Sequence, residues 1–296
     1  MPTMTDTADQ RPRSETTAAH EVSGETDGRD LLKLAARAGY ASRGVVYIVV
    51  GALALTAAFS ARTRPEGAEG AIETLFSHPA GSVLVYVLIA GLLCYSGWRF
   101  WQSIRDTDHH GRGAKALLIR GGLLASGVTY VFLALFAWRL ATGEGEDGSQ
   151  GSQSFLPGWL TLEPWMLWVA ALVPAGVGVA HVWKAIKAKF EKHFLCDESQ
   201  MRWLRPLSRT GLIARGIVFF LIAFLLAWGG RSYTPEDPPT TRDALSYVEG
   251  LEVGGATVGP WLLALLGLGL IAFALYSLAQ ALYRRVRLHG PGEAPA

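Results

Sequence analysis

Cysteine is nearly missing: Cys94 and Cys196 are the only two in 296 residues, so no disulfide framework holds this chain. An excess of one charge is missing too. Lys and Arg number 27 against 25 Asp and Glu, which excludes a nucleic-acid binder with a basic face. The motifs of soluble catalysis are absent: there is no Gly-rich phosphate loop ending in Lys-Ser/Thr, no His-Glu-x-x-His and no Gly-x-Ser-x-Gly. His109 and His110 are adjacent in a loop and His181 stands alone near a span, so neither a metal site nor a haem is expected, and no cofactor is. Residues 1–30 contain no apolar h-region, which excludes a cleavable signal peptide and makes the first span an uncleaved anchor. The apolar stretches hold no Asp or Glu away from their edges, which removes a proton relay built on paired acids.

What is present is apolar. Half of the chain is hydrophobic (50%), gathered into blocks at about 38–60, 80–101, 120–140, 163–184, 210–229 and 258–283. Each is close to the ~20 residues that a helix needs to cross a hydrocarbon core of roughly 30 Å. Pro79 and Pro260 stand where helices would start, where the missing N–H has no intrahelical partner anyway. Pro174, in mid-span four, predicts a kink. Lys and Arg fall unevenly: eighteen lie in the two tails and the even loops, four in the odd loops. This asymmetry predicts a multi-pass protein of the plasma membrane with both termini cytoplasmic. Trp98, Trp101 and Trp183 then fall near inner ends, and Trp138, Trp159, Trp165, Trp228 and Trp261 near outer ends, where indole prefers the interface.

The chain also repeats itself. Arg37-x-Gly39-x-x-x-Arg43-Gly44-x-x-Tyr47 recurs as Arg120-x-Gly122-x-x-x-Ser126-Gly127-x-x-Tyr130 and as Arg209-x-Gly211-x-x-x-Arg215-Gly216-x-x-Phe219. Fixed-period self-similarity marks a repeat architecture. Each unit contains two spans, so successive units enter from the same side and are parallel repeats about an axis along the membrane normal. The expected fold is therefore all-α: six transmembrane helices built as three two-helix repeats with pseudo-three-fold symmetry. The expected boundaries are a disordered cytoplasmic tail over 1–30, a membrane domain over 31–288 (repeats 31–108, 116–194 and 204–288) and a flexible tail over 289–296. The three openings and the ending Ala281-Leu282-Tyr283-Arg284-Arg285 resemble the DUF1206 family, small bacterial, mostly actinobacterial membrane proteins with three two-helix repeats. The excess of arginine over lysine, 21 against 6, suits a high-GC genome. The resemblance spans about 31–288 and implies fold and location. It carries no activity and no catalytic residues.

Two sets of residues are candidates for function. Gly44, Tyr47 and Gly51 share one helix face, as do Gly127 with Tyr130 and Gly216 with Phe219. They read as helix packing, with the lining of a central cavity as the alternative. Arg43 and Arg215 are the sharper feature. Only 15 residues, about 22 Å of helix, separate Arg215 from Arg231, so it lies inside the membrane region or snorkels out of it. With no acid on either helix, the partner is a lipid phosphate, a carbonyl, water or an anionic ligand. A ring of Arg37, Arg43, Arg120, Arg209 and Arg215 would then contact anionic lipid at the inner face, aided by the basic stretch from Lys184 to Arg209. The expected function is a non-enzymatic envelope or scaffold protein that binds anionic phospholipid or a small anion. The alternatives are a channel or carrier along the pseudo-three-fold axis, and a lipid-modifying enzyme that would need Asp106, Asp108, His109 and His110 to converge. Beyond the bilayer, no nucleic-acid partner is expected.

Overall fold

The computed structural model describes residues 14–60, 63–105, 113–143, 165–188, 191, 194–228 and 239–284. The tail residues 1–13 and 289–296, and the loop carrying Asp106, Asp108, His109 and His110, lie outside these described residues. Six long helices dominate: α1 (Ser14–Phe59), α3 (Gly81–Arg105), α4 (Ala114–Thr142), α5 (Trp165–Ile186), α6 (Glu198–Trp228) and α8 (Gly259–Tyr283). Each carries a stretch long and apolar enough to cross a bilayer. The helix of α1 extends upstream of its apolar part into the segment that composition reads as a disordered tail. Pro260 sits in the first turn of α8, whereas Pro174 and Pro206 lie inside α5 and α6, which run on through them.

Two short helices were not legible as periodic segments: α2 (Ala68–Phe76) and α7 (Thr241–Glu249). Each lies in the loop joining the two long helices of its repeat. The α7 start is fixed by a capping box, with the Thr240 side chain accepting from the Asp243 backbone N–H and the Asp243 carboxylate accepting from the Thr240 N–H at 2.7 Å. A two-stranded antiparallel hairpin of β1 (Glu252–Val253) and β2 (Ala256–Thr257) turns through Gly254 and Gly255, whose positive φ angles of 60° and 80° glycine tolerates. The loops inside repeats one and three meet, with Arg242 at the start of α7 paired to Glu66 just before α2.

The long helices pack in the order α4, α3, α1, α8, α6, α5, a ring left open between α4 and α5. The closest pairings are α8 with α1, α3 with α4, and α5 with α6. The second helix of each repeat thus packs most tightly on the first helix of the next one, more than on its own hairpin partner. Repeat glycines explain this. A methyl at Gly44 would stand 2.7 Å from Leu278 on α8, one at Gly127 would stand 2.6 Å from Phe100 on α3, and one at Gly216 would stand 2.8 Å from Val182 on α5. Such close approach is how small residues bring helices together without a hydrophobic drive. Gly51 adds a second such point against the Gly267 carbonyl and Ile271 on α8. The ring is uneven. Only 17% of the apolar stretch is buried in each of α4 and α5, against 67% in α8.

Candidate functional site

The bundle interior is an arginine–aromatic cluster towards the end where α1, α4 and α6 begin, called here the basic end. Arg43 on α1 is 6% exposed. Its Nε and Nη2 donate to Ser277 Oγ at 3.1 and 2.9 Å, Nη2 also donates to Gln280 Oε1 at 2.7 Å, and Nη1 donates to the Tyr95 hydroxyl. The guanidinium lies over the rings of Tyr40, Tyr95 and Phe273, 5.5, 5.1 and 5.0 Å from their centroids. Arg99 on α3 reaches the same phenol, its Nε donating to Tyr95 Oη at 2.8 Å and its Nη1 to Gln102 Oε1 at 3.1 Å. Cation–π contact and hydrogen bonding to neutral oxygens together solvate a charge that would otherwise cost several kcal/mol at this depth.

Arg215 on α6 is different. Half-buried, it lies over Tyr47, Phe219 and Phe273 at 4.3, 4.9 and 4.8 Å. It has no hydrogen-bond partner among the described residues. Its guanidinium, with five N–H donors, therefore lies among aromatic rings with no acceptor supplied by these residues. Beside these rings, the His181 ring on α5 stands 5.5 Å from Phe219 and 6.3 Å from Phe273. Its Nδ1 is 2.8 Å from the Val177 carbonyl, which can only accept, so Nδ1 carries the proton and Nε2 is the open nitrogen. Among the described residues no carboxylate forms an ion pair with Arg43, Arg99 or Arg215; the ion pairs found are at the bundle's ends, such as Arg205 with Glu191 at 2.5 Å.

The arginines singled out from sequence divide. Arg43 and Arg215 meet on the Phe273 ring. Arg37 and Arg209 are exposed. Six residues separate each from its partner arginine, about 120° around the helix, so the two cannot share a face. Arg120 is half-buried and caps α3, its Nε donating to the Ser103 carbonyl at 2.5 Å and its Nη2 to the Ile104 carbonyl at 3.1 Å. It satisfies orphan carbonyls of a helix C-terminus and adds a cation where the helix dipole is negative. The aromatics of the repeated motif turn inward: Tyr47 packs edge-on against Phe273 at 5.1 Å and Tyr130 against Tyr95 at 4.6 Å.

Sequence reading missed Arg99, Tyr95, Tyr40, Ser277 and Gln280. A signal existed. The second helices repeat as well, with Gly91-Leu-x-x-Tyr95 and Gln102 recurring as Gly269-Leu-x-x-Phe273 and Gln280. Their glycines and aromatics are the surfaces on which the first helices rest. A methyl at Gly39 would stand 2.5 Å from Tyr95 Cα, and one at Gly211 would stand 2.5 Å from Phe273 Cα.

Six long apolar helices packed about a charged, hydrogen-bonded core define an integral, multi-pass membrane protein. The chain belongs to the DUF1206 family, the Domain of Unknown Function (DUF1206), which matches it three times, over residues 38–106, 121–188 and 210–284. The matched segments coincide with the three helix pairs α1/α3, α4/α5 and α6/α8. A relative in Bacillus subtilis (strain 168), Uncharacterized protein YxxB, is 29% identical over 261 residues, covering 86% of this chain and 92% of the relative. No solved structure matches the chain.

Proposed function

We propose that this protein is a non-enzymatic component of the plasma membrane, with both termini cytoplasmic, that holds the phosphate of an anionic phospholipid, or a small anion of the same chemistry, in its arginine–aromatic core. The single observation that carries the reading is Arg215, whose guanidinium sits among three rings with no hydrogen-bond partner among the described residues. Guanidinium binds phosphate oxygens bidentately, and the surrounding rings lower the local dielectric and strengthen that pairing. Arg43 and Arg99 raise the potential without competing, because their own donors are engaged within the protein. The charge asymmetry of the loops supports a cytoplasmic position for this end. The Tyr95 phenol, the Ser277 hydroxyl and the Gln102 and Gln280 amides accept from Arg43 and Arg99, an arrangement suited to holding charge.

The test is thermal unfolding of the full chain in mild detergent, followed by tryptophan fluorescence, with phosphatidylglycerol or phosphatidylcholine added. Phosphatidylglycerol should raise the midpoint and phosphatidylcholine should not; a single site filled at a hundredfold excess over Kd contributes about 2.7 kcal/mol. Arg215→Gln should abolish the increment and leave the lipid-free midpoint near that of the wild type. Equal responses to the two lipids, or an increment that survives Arg215→Gln, would overturn the reading.

A further inference from the structure

Repeat two packs its hairpin differently from the other two, and the difference opens the wall of the bundle. In repeats one and three the motif glycine of the first helix rests on the second helix of its own hairpin: Gly39 on Tyr95, and Gly211 on Phe273. The equivalent Gly122 of repeat two faces open space, with nothing within 4 Å of a methyl built on it. Gly176 on α5 is equally open. Correspondingly, α4 and α5 lack the extensive packing that joins every other neighbouring pair in the ring.

We propose that the slot between α4 and α5 is a lateral portal for a phospholipid, one acyl chain lying between the two helices and the phosphate reaching the Arg215 guanidinium. This rests on the anion-holding function assigned above and names the ligand and its route. Depth supports it. Arg215 precedes Gly216, which packs on Val182, four residues from the end of α5 at Ile186, or about 6 Å from that end. Gly122 and Gly176 lie eight and ten residues inside the same end, about 12 and 15 Å. A phosphate on Arg215 is therefore about one turn inside the end of α5, and a chain attached to it and running deeper passes the two open glycines. Chemistry agrees with depth. Both flanking helices carry an aromatic ring on the core, Tyr130 of α4 packing on Tyr95 and His181 of α5 on Phe219. Ser126 stands where the other repeats carry Arg43 and Arg215, so repeat two places no cation at that depth. An acyl chain crosses a neutral wall and the charge meets it only at the headgroup.

The experiment uses the full chain reconstituted in vesicles of equal parts phosphatidylglycerol and phosphatidylcholine, extracted gently and weighed by native mass spectrometry. Wild type should retain one phosphatidylglycerol. Gly122→Trp and Gly176→Trp, at positions where an added Cβ meets nothing within 4 Å, should each lower the retained fraction about tenfold, equivalent to 1.4 kcal/mol, with the unfolding midpoint unchanged. Gly97→Trp, equally open but on α3, should not. Retention unchanged in Gly122→Trp but lost in Arg215→Gln would overturn the portal and leave the anion site standing. Displacement of the lipid by inorganic phosphate alone would overturn the portal in favour of a small-anion site. Loss of lipid from every protein, wild type included, would overturn both.

Discussion

Three alanines placed at equivalent positions should give three different stabilities according to what each methyl meets. Gly39→Ala brings a methyl to 2.5 Å from Tyr95 Cα and 2.6 Å from its amide nitrogen. Gly211→Ala brings one to 2.5 Å from Phe273 Cα. Both obstacles are helix backbone, so the helices must separate, and overpacking of this kind costs about 1–3 kcal/mol. Gly122→Ala meets nothing. All three substitutions gain the same helix propensity of up to about 1 kcal/mol, which cancels on comparison. Gly39→Ala and Gly211→Ala should therefore each lie about 1–3 kcal/mol below Gly122→Ala. The measurement is reversible unfolding in mixed micelles by titration with a denaturing detergent, followed by tryptophan emission. Three variants agreeing to within about 0.5 kcal/mol, the scatter of inert substitutions, would show that the repeats are packed alike and that no slot exists.

Two further outcomes are expected. Tyr95→Phe removes the hydroxyl that accepts from both Arg43 and Arg99, and should cost about 1–3 kcal/mol, whereas Tyr86→Phe, on an exposed face, should be neutral in the same unfolding assay. In a Cys94→Ala background, a membrane-impermeant maleimide should leave Cys196 unlabelled in intact cells and label it once the membrane is opened. Burial, with the Asp197 carboxylate second, pushes the Cys196 thiol up. The thiolate is the reactive form, so the labelling rate should still be climbing as pH passes the ordinary thiol pKa of about 8.5, and a plateau below that pH would contradict the placement.

The six spans could be read before any coordinates because a bilayer imposes a length and a composition that few other environments demand. The symmetry of the openings was equally visible, and so were Arg43 and Arg215, which stand out because an arginine inside an apolar helix is expensive. Their surroundings were not. Arg43 finds its partners 52 and 237 residues away, on helices whose polar positions look unremarkable until they face an arginine. A ring of five arginines assumed that repeated residues share an environment. The helical angle between Arg37 and Arg43, and the use of Arg120 as a cap, divide that set. The open hairpin of repeat two had one trace in the sequence, the serine at position 126, which marks a broken symmetry without saying what the break is for. The helices α2 and α7 escaped notice because nine residues are too few for a clear period, although Thr240 and Asp243 are spaced as a capping box.

The pairing of α8 with α1 gives the chain a timetable. Arg43 is among the first membrane residues to be synthesised, while Ser277 and Gln280, which accept its hydrogen bonds, are among the last. At typical rates of translation on the order of ten to fifty seconds separate them. Through that interval the nascent protein holds a charged side chain in or near the membrane with only part of its solvation in place. The arginine is enclosed when the final helix arrives. A chain interrupted before its sixth span would thus announce its own incompleteness to the membrane's quality control by an exposed charge.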